Sequence, residues 1–452
     1  MRAAFLILPV ASLLAGQTPI QIHVDATDAP RRIFHVQMTL PANPGPMTLL
    51  YPQWIPGEHG PTGPVVNLVN LKISGEGRAI PWKRDSVNMF AFAIDVPADA
   101  PELHIAFDYI APPESEGFTS GSSTTSELAV LNWNQLLLYP KAADADSIQF
   151  QASLKVPSGW RYGTALPIQR ESGNNIEFKP ASLTTLVDSP LSAGAHYRTI
   201  DLGPDSDDAS DDASRIPHYL HLAADSDRAL EIRPQVIDEY KNLVKETGAL
   251  FGSRHYRRYD FLFTLSDHVA HFGLEHHESS DDRYDERTLI DPEIQRVEAT
   301  LLPHEFTHSW NGKYRRPLGL TNGGKDGGYD TPMKGDLLWV YEGLTEYLGE
   351  ILTQRSRLRI AEDFHESLAA TAADLDNKFG RNWRPLEDTA IAAQLLYYTG
   401  QDYDNIRRDV NYYPEGILIW LDADTTIRQL SHGAKSLDDF CHAFYGGPAL
   451  RP

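Results

Sequence analysis

The chain has one cysteine, Cys441, in 452 residues. No disulfide can form within it, so stability must come from a packed core and from any metal it holds. After the N-terminus no apolar run reaches the length needed to span a bilayer. Basic residues are in short supply: 40 Lys and Arg stand against 62 Asp and Glu, a net charge of -22. A surface that acidic repels phosphate backbones and anionic lipid, which argues against nucleic acid and stable membrane association as partners. No internal repeat is visible.

What is present begins with residues 1–16, one cation followed by an apolar run too short to span. This stretch is expected to be a signal peptide cleaved near Ala15 or Gly16, giving a periplasmic or secreted protein. Gln17 stands where a lipid anchor would need cysteine. From 17 to 200 the chain is cut by Pro and Gly into short alternating runs: 32–40, 88–96, 103–109 and 148–156. Period-two alternation over that length predicts half-buried strands, and many in succession predict an antiparallel sandwich-like domain. The segment Gln53–Pro64, dense in Pro and Gly, reads as a rigid loop, either a plain connector or the border of a site. An acidic run at 201–214 reads as a linker.

From 215 to 452 the pattern becomes α+β and then mainly helical. Strands are expected at His218–Leu222 and Tyr259–Leu265, and helices at 228–250, 292–311, 337–355, 360–377, 414–429 and 437–445. The helix 292–311 carries His304-Glu305-x-x-His308. Residues four apart share a helix face, so two imidazoles can hold one Zn²⁺ while Glu305 reaches the water that the metal activates. A third ligand is required, and Glu342, on the next helix, is the best candidate. Two His and one Glu with a fourth position open describe a catalytic zinc site.

Beyond these residues, His304-Glu-Phe-Thr-His-Ser-Trp-Asn311, Arg315-Arg-Pro317 and Trp339-Val-Tyr-Glu-Gly-Leu-Thr345 together resemble the glycyl aminopeptidase family of zinc peptidases. Gly273-Leu-Glu-His276, Tyr412-Tyr-Pro-Glu-Gly-Ile-Leu418, Trp54-Ile-Pro-Gly57 and Leu186-Val-Asp-Ser-Pro190 fit it as well. The resemblance implies a β domain joined to a thermolysin-like catalytic domain, peptide substrates with a free N-terminus, and a preference for small first residues such as Gly and Ala. It implies Tyr413 as the donor to the tetrahedral oxyanion, with Tyr412 as competitor. Glu275, on an edge strand with Gly273, would pair with the substrate α-ammonium, and neighbouring His276 would contact substrate or point to the opposite face. Glu346, one turn after Glu342, would orient a ligand His or lie exposed. Asn311, Lys313, Arg315 and Arg316 would shape the following loop or bind a peptide carboxylate. Two departures stand out. The PDZ module common in the family would begin near Ser436–Phe440, close to Pro452, so substrate capture by such a module does not carry over. Glu415 occupies a position where the family often has Lys.

Two other readings compete: a zinc endopeptidase, which would have no ammonium to neutralise at Glu275, and a non-catalytic peptide-binding protein with a vestigial site. Glu305 separates the last from the rest. Glu305→Gln should keep its zinc yet lose nearly all turnover, because an amide cannot accept the proton of water. Substantial hydrolysis by that variant, with metal content measured alongside, would remove Glu305 from the role.

Overall fold

The computed structural model describes residues 18–113, 118–121, 123–142, 144–203, 216–320, 328–397, 399 and 402–447. The signal segment at 1–16 and most of the acidic run lie outside them. In the first half the alternating runs form strands, as in Ile33–Pro41 and Glu102–Ile110, which pair antiparallel along their whole length. Among the described residues nine strands make the main sheet, and sheets of four and three strands share its core. Inward positions such as Val36, Phe107, Phe92 and Leu131 are all buried there. One pairing departs from the antiparallel expectation. Ile20–Asp25 lies between Ile33–Pro41 and Gln149–Lys155 and runs parallel to the latter. The two are far apart in sequence, and the long connection between them leaves the pairing free of the hairpin constraint.

The expected boundary at 200 and the expected linker start at 201 are both displaced. His196–Gly203 is one continuous strand, and it pairs with His218–Ala224 of the second half. Hydrogen bonding along a sheet edge holds the acidic residue Asp201 in place despite its polar neighbours.

The second-half sheet runs in the order His196–Gly203, His218–Ala224, Tyr259–Leu265, Ser279–Tyr284, Phe272–Glu275. Its three inner strands are parallel, and Tyr259–Leu265 is buried at every position. Such continuous apolar runs are expected where both faces of a parallel sheet are covered. Phe306 packs against Phe261 at 4.9 Å between ring centroids, and Trp310 stacks on Phe251 at 4.5 Å, so the HExxH helix is anchored in this core.

The expected helix 292–311 is in fact two, Pro292–Glu298 and Leu301–Thr307. Pro303 is the cause: its ring would collide with the carbonyl of Ala299 in an unbroken helix. As the third residue of a new helix it needs no hydrogen-bond partner, because the first turn has none to offer. The helices Leu338–Ser356, Ala361–Asp376, Pro414–Leu430 and Leu437–Tyr445 follow within a residue or two of expectation. The last one packs on the catalytic core. Ser436 and Asp439 cap it reciprocally, and Leu437, Cys441 and Tyr445 are buried in the catalytic core. The Cys441 thiol is fully buried, and that burial pushes its pKa up, which leaves it unreactive. Among the described residues no helix is long and apolar enough to cross a membrane.

Glu415 is also accounted for. Both of its carboxylate oxygens lie 2.6 Å from Arg408 Nη2, and both residues are buried. Removing one partner of a buried pair strands the other charge, typically at a cost of about 3–5 kcal/mol. Glu415→Ala should lose stability on that scale in urea unfolding; a change below about 1 kcal/mol would show that Arg408 finds another partner.

Candidate metal centre and substrate cleft

His304 and His308 end up on one face because the HExxH helix is unbroken between them, with the His308 amide donating to the His304 carbonyl at 3.3 Å. The long helix Leu338–Ser356 crosses it closely. A Cβ on Gly349 would lie 3.1 Å from His304 Cα, tighter than most side chains accept, so glycine permits this crossing. The crossing brings Glu342 to the two histidines. Glu342 Oε2 is 3.2 Å from His304 Nε2 and 3.1 Å from His308 Nε2, and the two Nε2 atoms are 3.1 Å apart. Tetrahedral bonds of about 2.0–2.1 Å to zinc would separate ligand atoms by roughly 3.3 Å, so this triangle fits the ion. The Glu305 carboxylate also comes within 4.8 Å of both histidines. Glu342 Oε2 is in closer contact with both imidazoles than that limit, as expected of the third ligand.

Each expected ligand is oriented from behind. His308 Nδ1 donates to the Asn311 carbonyl at 2.9 Å, which leaves Nε2 as the electron-pair donor. His304 Nδ1 is 2.6 Å from Glu346 Oε2. Glu346 is therefore not simply exposed; it faces the ring it was expected to orient. Asn311 ties the helices together, its amide donating to the carbonyl of Tyr341 at 3.0 Å and to Thr345 Oγ1 at 2.9 Å. Burial disfavours a charged Glu342, but His308 and His59 outweigh it and hold the carboxyl well below the usual range. Glu305 goes the other way: burial first, then Glu275 and Asp282, push it well above, against the pull of His304. The two carboxylates are thus pushed in opposite directions.

The remaining residues divide. Glu275 and Gly273 sit on the edge strand and line the same cavity of about 890 Å³ as Glu305 and Tyr413. Tyr341 donates a hydrogen bond to Glu275 Oε1. Burial raises the Glu275 pKa, and Lys313 and His308 more than reverse that. Gly273 acts through its missing side chain, since a Cβ would lie 2.3 Å from Glu305 Oε1 and 2.6 Å from Leu301 Cδ1. His276 is a correction. Strand alternation sends it to the face opposite Glu275, into a separate cavity of about 150 Å³, where its Nδ1 bonds Asp188 Oδ1 at 3.2 Å. It does not line the cleft. Lys313 also bonds Asp188, at 2.9 Å, so it fastens its loop to the β domain.

Of the two tyrosines, Tyr413 faces the cleft and Tyr412 is wholly buried behind it. A second glycine contact places them: Gly416, three residues on, packs so tightly against Gly343 that a Cβ would lie 2.3 Å from the Gly343 Cα. Some neighbours of the site were not foreseen. The hydroxyl of Tyr397 lies 3.5 Å from that of Tyr413, Glu58 of the Pro-Gly loop lines the cleft, and His59 of the same loop reaches the Tyr413 hydroxyl at 3.2 Å. The density of Pro and Gly around Glu58 and His59 was the available signal.

A two-domain fold with a β domain leading into an HExxH domain of this geometry is that of a metallopeptidase. Residues 21–195 match the Peptidase M61 N-terminal domain and residues 297–419 match M61 glycyl aminopeptidase, so the chain belongs to the M61 peptidase family. No curated protein matches it in sequence. Among solved structures it is similar to an aminopeptidase N family protein from Idiomarina loihiensis, at 19% identity and a TM-score of 0.77, covering 94% of this chain and 70% of that one. It is also similar to leukotriene A4 hydrolase from Saccharomyces cerevisiae, at 13% identity and a TM-score of 0.53, covering 95% and 62%. A two-domain M1 zinc metallopeptidase mutant bound to L-tryptophan matches at 13% identity and a TM-score of 0.53, covering 96% and 88%. These likenesses show the shared fold, and the family shows a peptide hydrolase.

Gly273→Ala tests the packing of the base. Its methyl group should displace Glu305 and lower kcat by about a hundredfold, the usual cost of a misplacement near 1 Å. Zinc content should stay unchanged, and unaltered kcat would show that Glu305 can shift without consequence.

Proposed function

We propose that this peptidase is a zinc aminopeptidase that removes small N-terminal residues, Gly and Ala, from peptides. The observation that carries the proposal is Glu275, a buried carboxylate kept ionised on the edge strand, in the same cleft as the base Glu305. Glu58 adds a second carboxyl to that end of the cleft, and burial together with Glu275 raises its pKa. An endopeptidase would gain nothing from an ionised carboxylate there, whereas an α-ammonium neutralises the Glu275 charge. The size preference rests on family membership. Export rests on the N-terminal sequence alone.

In this reading His304, His308 and Glu342 hold Zn²⁺, which when bound polarises the scissile carbonyl and makes water acidic enough to react near neutral pH. Glu275 fixes the free amine and so sets which peptide bond reaches the base. Glu305 takes the proton of the attacking water and passes it to the departing amine. Tyr413 donates its phenol proton as a hydrogen bond to the developing oxyanion. Burial and the nearby Glu342 push its pKa well up, so the phenol stays protonated for that task.

Blocked substrates give the test. N-acetylated peptides should not be cleaved. Glu275→Ala should raise KM for free-amine substrates ten- to a hundredfold, matching a charge-assisted hydrogen bond of about 1.5–3 kcal/mol. Cleavage of an acetylated peptide by the native enzyme, at a rate near that of the free form, would overturn the aminopeptidase reading in favour of the endopeptidase.

A further inference from the structure

His59 belongs to the β domain, yet its Nε2 lies 2.6 Å from Glu342 Oε1 and 3.2 Å from the Tyr413 hydroxyl. Glu342 therefore divides its oxygens. Oε2 faces His304 and His308, and Oε1 faces His59. A carboxylate accepts only, so in this 2.6 Å ion-pair contact His59 Nε2 is the atom able to carry a hydrogen. On the same N–H, the Tyr413 oxygen can act as an acceptor, which leaves the phenol proton available to a substrate.

We infer that His59 is a positioning residue of the metal centre: it holds Glu342 by Oε1 so that Oε2 alone points to the two histidines, and it fixes the Tyr413 hydroxyl at a set distance from that ligand. The inference rests on the zinc reading above. It makes the β domain part of the centre, because His59 supplies this contact from outside the HExxH half.

The surroundings are built for such a role. His59 is 2% exposed. Its ring stands edge-on to Tyr341, Tyr397 and Tyr412, with centroids 6.1, 6.0 and 6.5 Å away. Three tyrosines thus wall the imidazole from water and fix its plane. Its backbone has φ of 52°, a left-handed conformation that residues other than glycine adopt mainly when their surroundings impose it. The loop is pinned to the catalytic half, the amides of Gln53 and Trp54 both donating to the Tyr329 carbonyl at 3.0 and 2.8 Å. Gly57, two residues before, lies against Glu275, where a Cβ would come 2.4 Å from Oε2. One loop thereby touches both the ammonium-binding carboxylate and the third ligand.

The test compares His59→Phe and His59→Ala, which share only the loss of the N–H, with His59→Gln, which keeps a donor. Zinc affinity of the full chain is read by competition with a chromogenic chelator, and kcat and KM with an alanyl arylamide. Unfolding of the EDTA-treated proteins reports on packing alone. Phe and Ala should each weaken zinc binding or turnover about 10–100-fold, the usual effect of losing a hydrogen bond behind a metal ligand. KM should hardly move, and Gln should recover part of the loss. Native zinc affinity and kcat in any folded variant lacking the N–H, or no recovery in Gln, would overturn the assignment. If the native chain itself binds no zinc, the zinc reading fails first; if it binds zinc and His59→Phe does so equally, only His59 is wrong.

Discussion

The close crossing of the HExxH helix and the helix Leu338–Ser356 is the constraint on which the centre depends. Gly349 gives up its side chain at the crossing, and the backbones approach until Glu342 and Glu346 both reach His304. The crossing gathers Glu275, Glu305, Glu342 and two imidazoles into one buried volume. Burying like charges is costly unless a cation or a hydrogen bond answers each one. Here every carboxylate has an answer: histidines for Glu342, Tyr341 and Lys313 for Glu275, and a raised pKa for Glu305.

The same device recurs one helix further on. Gly343 and Gly416 bring the helix Pro414–Leu430 against Glu342's own helix, and Tyr413, the cap of that third helix, is thereby set beside the ligand. Gly273 does the equivalent on the sheet side, letting Glu305 lie against the edge strand. Three contacts that exclude a Cβ therefore fix the distances among base, ligand and phenol. None of these glycines carries chemistry. Each removes volume where two backbones, or a backbone and a carboxylate, must nearly touch.

The β domain is more than a platform. Tyr329 accepts from its Pro-Gly loop, Asp188 accepts from Lys313 and from His276, and His59 enters the centre itself. These contacts bind the catalytic half to residues that lie more than a hundred positions before the HExxH helix. The acidic character of the chain is thus uneven in its consequences. Most of it is solvated surface, while a handful of carboxylates are placed where a metal and an ammonium would need them.

How much of this could be read in the sequence follows from the range of the forces involved. His304, Glu305, His308 and the helix under them were legible because a helical repeat is local: four residues make one face, whatever the rest of the chain does. Alternation marked four strands of the β domain for the same reason, Ile33–Pro41, Ala91–Val96, Glu102–Ile110 and Gln149–Lys155, and Glu342, Tyr413 and Glu275 could be named from their short blocks. Pro303, which splits the expected helix, was also legible in principle, being a steric rule between residues four apart. What the sequence could not show was which far-off residues meet. His276 left the site because adjacent strand positions face opposite ways, one of the two alternatives the sequence offered; that Asp188 receives it there is a matter of packing. The strand His196–Gly203 joined the second half because its hydrogen-bonding partner is a neighbouring strand, not an adjoining residue. Glu415 found Arg408, and His59 found Glu342 across two domains. Local composition named the chemistry; packing decided which groups share a volume, because contact energies act over a few ångströms and separation along the chain does not report separation in space.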